Sequence, residues 1–400
     1  MTPRLLVATE FPPNAAGGGP AVVRQMLKEW PVGSLHWWSC FPDADRRFGQ
    51  DVASHHVAQL PAKLRPLKRA TRIKAAVLEW FWTPWAAAHL RKTIAAVEPE
   101  AIWVIPHNWS VPPIASALPG SKEPFHVTMQ DYIDVHQHPE KFGDARCRRM
   151  VEQAERLYAN ATTRDATSHP MIADLKARTG KDAAQMLHAG LEPEDFDFLQ
   201  QKSTRDLSFA STMKIAHAGT ILVEDVFEKF VTAVREIRNE VPRRIELHLF
   251  GAHSYAQRRW FDPEWMVEHG NLAEPELLQK LRDCDFGFSP MALHDDDPRY
   301  NRFSFPTKFI TYLAAGLPII TLGHPESSVM KMVQRYEVGP IQSANDPAAL
   351  AAQLRAAFSE PDLWERYRAE IIRCAESEFD AAKMRAVLYA CFAKSAAGRQ

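Results

Sequence analysis

Short apolar runs that alternate with helical patterns leave few folds open to this 400-residue chain. "RLLVATEF" (4–11), "AIWVIPHNW" (101–109) and "FHVTMQDY" (125–132) are nearly unbroken apolar stretches of strand length. Between and after them come "VLEWFWTPWAAAHLRKTIAAV" and "DARCRRMVEQAERLYANA", whose apolar residues recur at helical spacing. A strand that is apolar on both faces has to be covered on both, as in a parallel sheet flanked by helices. The fold class is therefore α/β.

The first run ends in a Pro- and Gly-rich turn, "PPNAAGGGP", and a helical pattern follows with Val22, Val23, Met26 and Leu27 on one face. Strand, Gly-rich loop and helix in this order open many α/β ligand-binding domains. The alternation runs to about residue 195, where the polar segment "EPEDFDFLQQKSTRDLSFAST" (192–212) reads as a linker. It then restarts with "KIAHAGT", "DVFEKFVTAVREIRNEV", "IELHLFG", "EPELLQKLRDC", "FGFSP", "LPIITLG" and "PAALAAQLRAAF". The expected organisation is a domain over 1–195 and a second over 205–377. The tail 378–400 carries one more helix, "DAAKMRAVLYACFAKS", a candidate to cross back onto the first domain.

A net charge of -1 provides no global field for nucleic acid, and no recognition motif accompanies the basic runs. The five cysteines are scattered without a C-x-x-C pair, which argues against a disulfide framework or a zinc site and for a reducing compartment. The sixteen histidines are dispersed, and His136 and His138 lack partners at metal-ligand spacing. "MTPRLLVATEF" is too short in its apolar run for a secretory signal, and no run of about 18 apolar residues is present to span a bilayer. The expected location is cytoplasmic.

In the second half, "IAHAGTI", "LHLFGAH", "EHGNLAEPELLQKLRDCDFGFSPM" and "SFPTKFITYLAAGLPIITLG" follow one another in an order and spacing that resemble GT-B fold glycosyltransferases of the large group-1 type. The nearest branch is the one with a "P-S/T-K" donor-phosphate turn, glucuronosyltransferase-like. The resemblance is good over about 213–340 and looser in the first half, through the Gly-loop opening, "VTMQDY", "ATSHPMIADL" and "LHAGLEPEDFD". It implies two Rossmann-like domains facing each other across a cleft, with a nucleoside-diphosphate sugar on the second domain and an acceptor on the first. Two departures stand out. Many relatives carry glutamates where this chain has Phe303 and Thr311, and an arginine where it has Thr220.

The resemblance assigns roles residue by residue. Lys308 aligns with the lysine that meets the donor diphosphate. A cation in the first helical turn opposes the macrodipole, and an anion held there would account for it; the alternative is a solvated lysine over the helix start. Thr307, Ser304, Gly219, Thr220, Thr311 and Tyr312 fall beside it on the donor side, and Arg302 is placed to assist. Asp131 takes the position of a general base on the acceptor hydroxyl, which implies inversion; otherwise it caps a turn. Gln130 stands where many retaining relatives have a histidine. Gly18, Gly19 and His107 are candidates for the acceptor side. "AGGGP" lacks G-x-G-x-x-G spacing, so a dinucleotide cofactor is disfavoured. "HDDDPRYNR" (294–302) reads as a solvated loop rather than a metal site. No metal and no cofactor beyond the sugar-nucleotide co-substrate are expected.

"KLRPLKRATRIK" (63–74) holds six cations and no acid, and Trp80, Trp82 and Trp85 follow closely. A peripheral contact with an anionic membrane through 63–85, on the inner face of the cytoplasmic membrane, is the functional reading. A solvated basic helix over a buried aromatic stripe is the structural one. The expected activity is sugar transfer to a saccharide or lipid-linked acceptor in envelope or exopolysaccharide assembly. The alternatives are a catalytically silent saccharide-binding partner of the same fold and a UDP-sugar epimerase.

Overall fold

The computed structural model describes residues 2–15, 17–43, 51–61, 71–118, 123–131, 143–201, 212–241, 243–294, 298–343 and 346–397. The chain forms two compact units, Met1–Ala189 with Ala381–Gln400, and Gly190–Asp380.

The first unit is built on a six-stranded sheet with the order β3-β2-β1-β4-β5-β6. Its strands are β1 (Leu5–Ala8), β2 (Leu35–Ser39), β3 (Ser54–Val57), β4 (Ala101–Val104), β5 (Phe125–Met129) and β6 (Thr163–Ala166). All neighbours pair in parallel, with Leu5 opposite both Leu35 and Ala101. Strands β1, β4 and β5 are buried along their whole length, as their unbroken apolar runs require. The core on one face gathers Val22, Val23, Met26, Trp37 and Trp103 with Met384, Leu388 and Phe392 of the last helix, Ala381–Ala397. Phe392 lies edge-on or tilted to Trp30, Trp103 and His126 at ring distances of 5.5–5.6 Å. The C-terminal helix is thus part of the first unit's core.

The second unit repeats the architecture, in the order β12-β11-β10-β7-β8-β9. Its strands are β7 (Met213–Ala218), β8 (Ile245–Phe250), β9 (Met266–Gly270), β10 (Phe286–Pro290), β11 (Ile319–Leu322) and β12 (Ile341–Gln342), again all parallel. The helix Glu224–Ile237 buries Val226, Phe227, Phe230, Val231, Ala233, Val234 and Ile237 against the sheet. Each large side chain among them contributes about 1.5–3 kcal/mol on burial. Phe230 stacks on Phe288 of β10 at 3.8 Å.

Two local expectations change. The first half of the segment read as a linker is a helix, Pro193–Gln201, anchored in the second unit. Its Leu199 is fully buried, Asp195 pairs with Arg282 at 3.1 Å, and the Arg282 guanidinium lies 3.8 Å from the Phe198 ring centre. The polar residues that suggested a linker are the helix's outward face. The long helix expected from Val77 to Val97 is not uniform: a π-helical turn, Leu78–Trp82, precedes the α-helix Thr83–Val97. Pro84 explains it, since its ring clashes with the carbonyl four residues back and it has no N–H to donate; a wider turn relieves both. Among the described residues, no helix is long and apolar enough to cross a membrane.

Candidate functional site

In an open parallel sheet, ligands bind beyond the carboxyl ends of the strands, where the strand order reverses. The second unit reverses between β7 and β10, because the chain runs from β7 out through β8 and β9, then returns to β10 beside β7. At that point lies a pocket of about 470 Å³. Ala218, Gly219 and Thr220 line it from the end of β7, Pro290 and Met291 from the end of β10, and Ser304, Thr307, Lys308 and Thr311 from the next helix and the turn before it. The volume suits a small molecule.

The turn after β7 is shaped by glycine. Gly219 has φ 85°, a left-handed conformation that costs other residues energy, and its N–H donates to the Phe250 carbonyl at 2.6 Å. Gly251 packs against it so closely that a Cβ there would sit 3.0 Å from the Gly219 carbonyl oxygen. The helix Thr307–Ala314 begins after Pro306 with no side-chain cap and no acid in its first turn. The Phe309 N–H donates to the Pro306 carbonyl at 3.1 Å, while the N–H groups of Thr307 and Lys308, both pocket-lining residues, have no acceptor within the helix. Lys308 in that turn reaches back to donate to the Thr220 carbonyl at 3.4 Å. Desolvation by the surrounding protein lowers its pKa to about 8. Buried His217 is pulled well below its ordinary value, by burial first and then by the Lys308 charge, so it is a neutral imidazole at neutral pH. Thr311 donates its hydroxyl to the Thr307 carbonyl at 3.2 Å, and both threonines border the pocket.

Two of the donor-side candidates are placed elsewhere. Tyr312 is fully buried, and does not line the pocket. Its hydroxyl accepts from the Ala218 N–H at 2.8 Å and donates to the Phe288 carbonyl at 3.2 Å, so it ties the ends of β7 and β10 together from below. Phe309, Tyr312 and Leu313 share the helix's buried side, and the Tyr312 ring packs on Gly287 of β10 so closely that a Cβ there would sit 2.6 Å from it. Arg302 is exposed on the helix Pro298–Phe303 and does not line the pocket. Asp295, Asp296 and Asp297 of the acidic loop lie outside the described residues, as do His136 and His138.

The first unit reverses between β1 and β4. Here the structure joins residues that the sequence kept apart. Glu10, just beyond β1, binds His107 beyond β4: Oε2 lies 2.8 Å from His107 Nδ1. The same carboxylate accepts from Asn108 Nδ2 at 3.3 Å and from the Trp109 N–H at 3.0 Å. Asn108 holds φ 39°, a left-handed conformation that turns the chain sharply into the short helix Asn108–Ser110. Burial works to lower the His107 pKa, but the hydrogen bond and charge of Glu10, with the charge of Asp131, outweigh it and raise the value. Desolvation raises the pKa of Asp131, beyond β5, against the opposing pull of His107. The arrangement gives a carboxyl group near a histidine held toward its charged form.

Gly17 caps the helix Gly18–Met26 with φ 113°, and that helix also lacks a side-chain cap and an acid in its first turn. Gln130 donates from Nε2 to the Gly19 carbonyl at 3.2 Å, and a Cβ at Gly19 would meet Gln130 Oε1 at 2.7 Å. Gly18, Gly19, His107 and Asp131 thus belong to one unit, and Gln130 is a structural tie rather than a vacancy left by a missing histidine. Glu10 was not legible as a site residue. Its signal is an acid directly after an apolar strand at the reversal point, and the reversal point is known only once strand order is known. Among the described residues no group of three or more His, Cys, Asp or Glu side chains is arranged to hold a metal ion.

The family model for the C-terminal domain of glucosyltransferase 3-like proteins matches residues 229–356. No curated sequence matches. Solved structures that resemble the whole chain include Anabaena HepE in complex with UDP-glucose, with 15% identity, coverage of 97% of this chain and 98% of that one, and a TM-score of 0.62. Sucrose-phosphate synthase from Thermosynechococcus elongatus is similar at 14% identity, 96% coverage of each chain and a TM-score of 0.67. WaaG, a glycosyltransferase involved in lipopolysaccharide biosynthesis, is similar at 11% identity, 96% and 98% coverage and a TM-score of 0.59. Together with the two parallel six-stranded sheets, these likenesses show a GT-B fold.

Proposed function

We propose that this chain transfers a sugar from a nucleoside-diphosphate sugar to the hydroxyl of a saccharide or lipid-linked acceptor. The observation that carries the reading is Lys308, a cation in a largely apolar pocket at the second unit's strand reversal, beside a glycine turn and uncapped helix N–H groups. A diphosphate satisfies all of these at once. HepE, of the same fold, has been crystallised with UDP-glucose in place, which makes a UDP-sugar the first donor to test.

In the proposed step Asp131 takes the proton of the acceptor hydroxyl, and the freed oxygen forms a bond to the anomeric carbon. The bond from that carbon to the diphosphate breaks, and the nucleoside diphosphate leaves with the electron pair. Lys308 and the helix N–H groups stabilise the charge that develops on it. A single displacement of this kind inverts the anomeric centre. Desolvation raises the Asp131 pKa, which strengthens it as a base, and His107, held toward its cationic form by Glu10, opposes that rise.

A saccharide-binding protein without chemistry is the second reading, favoured by buried Phe303 and by Thr311 at positions where relatives carry glutamates. One experiment separates them. UDP, GDP, ADP and their sugars are screened by thermal shift, where a ligand at a hundred times its Kd adds about 2.7 kcal/mol. Transfer or donor hydrolysis is then measured with the stabilising nucleotide sugar. The transferase reading expects one nucleotide to stabilise the protein, and Asp131→Asn to keep that shift while losing about 10²–10⁴-fold in rate. Stabilisation without turnover, or no shift with any nucleotide, overturns the transferase reading and selects the second.

A further inference from the structure

Among the described residues, two of the most exposed aromatic side chains lie outside both sites. Trp80 is 75% and Phe81 74% exposed, both in the π-helical turn, and Ile73, Val77 and Trp85 are exposed on the flanking helical turns at 69%, 36% and 50%. A soluble surface rarely leaves five large apolar groups open on one helical segment without a use for them. The π turn contributes directly. It keeps Leu78 and Trp82 buried, the latter donating from Nε1 to the Gln59 carbonyl at 3.1 Å, and turns Trp80 and Phe81 out between them.

Beside this patch lies a shallow groove of about 370 Å³ bordered by Arg72, Arg146, Arg148 and Arg149, with Asp144 as its acidic member. Glu79 joins patch and groove: its carboxylate holds Arg146 Nε at 2.7 Å and Arg149 Nη2 at 2.9 Å. Ile73, Val77, Phe81 and Trp85 recur every four residues along one side of this helical segment, while Arg72 before Ile73 lines the groove and Glu79 before Trp80 holds its arginines, so the basic groove flanks the apolar stripe. In sequence, residues 63–74 hold six cations and no acid, Arg72 among them, and 63–70 lie outside the described residues.

We propose that this face docks on the surface of a bilayer rich in anionic lipids. Trp80 and Phe81 enter the boundary between headgroups and acyl chains, where amphipathic aromatic rings are favoured, and the arginines meet lipid phosphates. The charge complementarity selects this occupant: Glu79 neutralises only part of the charge of Arg146 and Arg149, Arg72 and Arg148 add to it, and a purely apolar partner surface would bury this basic face without a counter-charge, whereas a free polyanion would leave the aromatic rings in water. The inference uses neither the pocket at Lys308 nor Asp131, and stands apart from the proposed reaction.

The test is flotation of the full chain with vesicles of phosphatidylcholine alone and with about one third phosphatidylglycerol. Expected is binding to the anionic vesicles, weakened by salt, and little binding to the neutral ones. Trp80→Ser/Phe81→Ser should abolish flotation, and Arg148→Gln should weaken it about fivefold, the equivalent of one basic residue at a charged surface. Both variants should keep the wild-type melting temperature, because the replaced side chains are exposed. Absence of binding to anionic vesicles by the wild type overturns the proposal, and so does equal binding by the Trp80/Phe81 variant. A wild-type dimer in solution that the same variant converts to monomer also overturns it, since the occupant is then a second copy.

Discussion

Lys308 occupies the first turn of a helix, where the macrodipole disfavours a cation, in surroundings that already strip water from its ammonium group. Its pKa of about 8 is the cost of keeping a positive charge ready for an anion. The protonated form is the one that binds a diphosphate. Affinity for the nucleotide should therefore stay level below neutral pH and fall as pH rises through about 8, by up to tenfold per unit. Calorimetric titration from about pH 6.5 to 9.5 would show it. Lys308→Met should abolish binding, whereas Lys308→Arg should keep binding and flatten the profile, because arginine stays charged throughout. A sloping profile in the arginine variant would assign the titration to another group. At this scale the resemblance pointed to Lys308, Thr307, Ser304 and Gly219, and all four line one pocket. It misjudged Tyr312, whose hydroxyl looks available in a string of letters and is spent on Ala218 and Phe288 in the fold.

Most interior strands were legible as apolar runs, with the buried β2, "LHWWS", as the exception. Strands β1, β4, β5, β7, β8, β10 and β11 all show as apolar runs, and all lie inside the two sheets. The strands that the sequence did not announce are β2 and the four edges, β3, β6, β9 and β12. An edge strand has a neighbour on one side only and tolerates polar residues, as "SHHV" and "TRDA" show. β6 carries a buried ion pair instead of an apolar run. Asp165 Oδ2 lies 3.0 Å from His126 Nε2 of β5, both side chains are fully buried, and Thr163 Oγ1 meets His126 Nδ1 at 2.9 Å. Burial alone would lower the His126 pKa, but Asp165 raises it to about 9. A histidine whose folded pKa is raised contributes its full stability below the unfolded value of about 6.5, and that contribution is lost as pH rises through about 9. Urea unfolding should accordingly show stability falling across that window. Asp165→Ala should remove the dependence and cost about 3–5 kcal/mol, as expected when one member of a buried pair is left alone.

At the scale of the molecule, the two units share a strand order, but only the second is a single stretch of chain. The first unit is completed only by Ala381–Ala397, the last helix of the chain. Met384, Leu388 and Phe392 fill a core that otherwise holds Trp37, Trp103 and Met26. A chain ending at Asp380 should therefore lose the cooperative unfolding of its first unit in calorimetry and keep that of the second. Two intact transitions in the truncated chain would mean the helix is an accessory. The segment 192–201 shows the opposite case, a stretch that looked like a connector and is a packed helix of the second unit.

By itself the sequence determined the α/β class, the restart of the pattern in the second half and the identity of the lysine-bearing turn. These depend on neighbours within a few residues, through apolar periodicity, glycine conformation and helix-start chemistry. The tertiary structure alone decided strand order, and with it the reversal points where Glu10 meets His107 and Lys308 meets Thr220. Residues 97 and 88 positions apart are brought within hydrogen-bond reach by parallel pairing. No local pattern encodes that pairing, because it is set by which long crossovers bury the most apolar surface together.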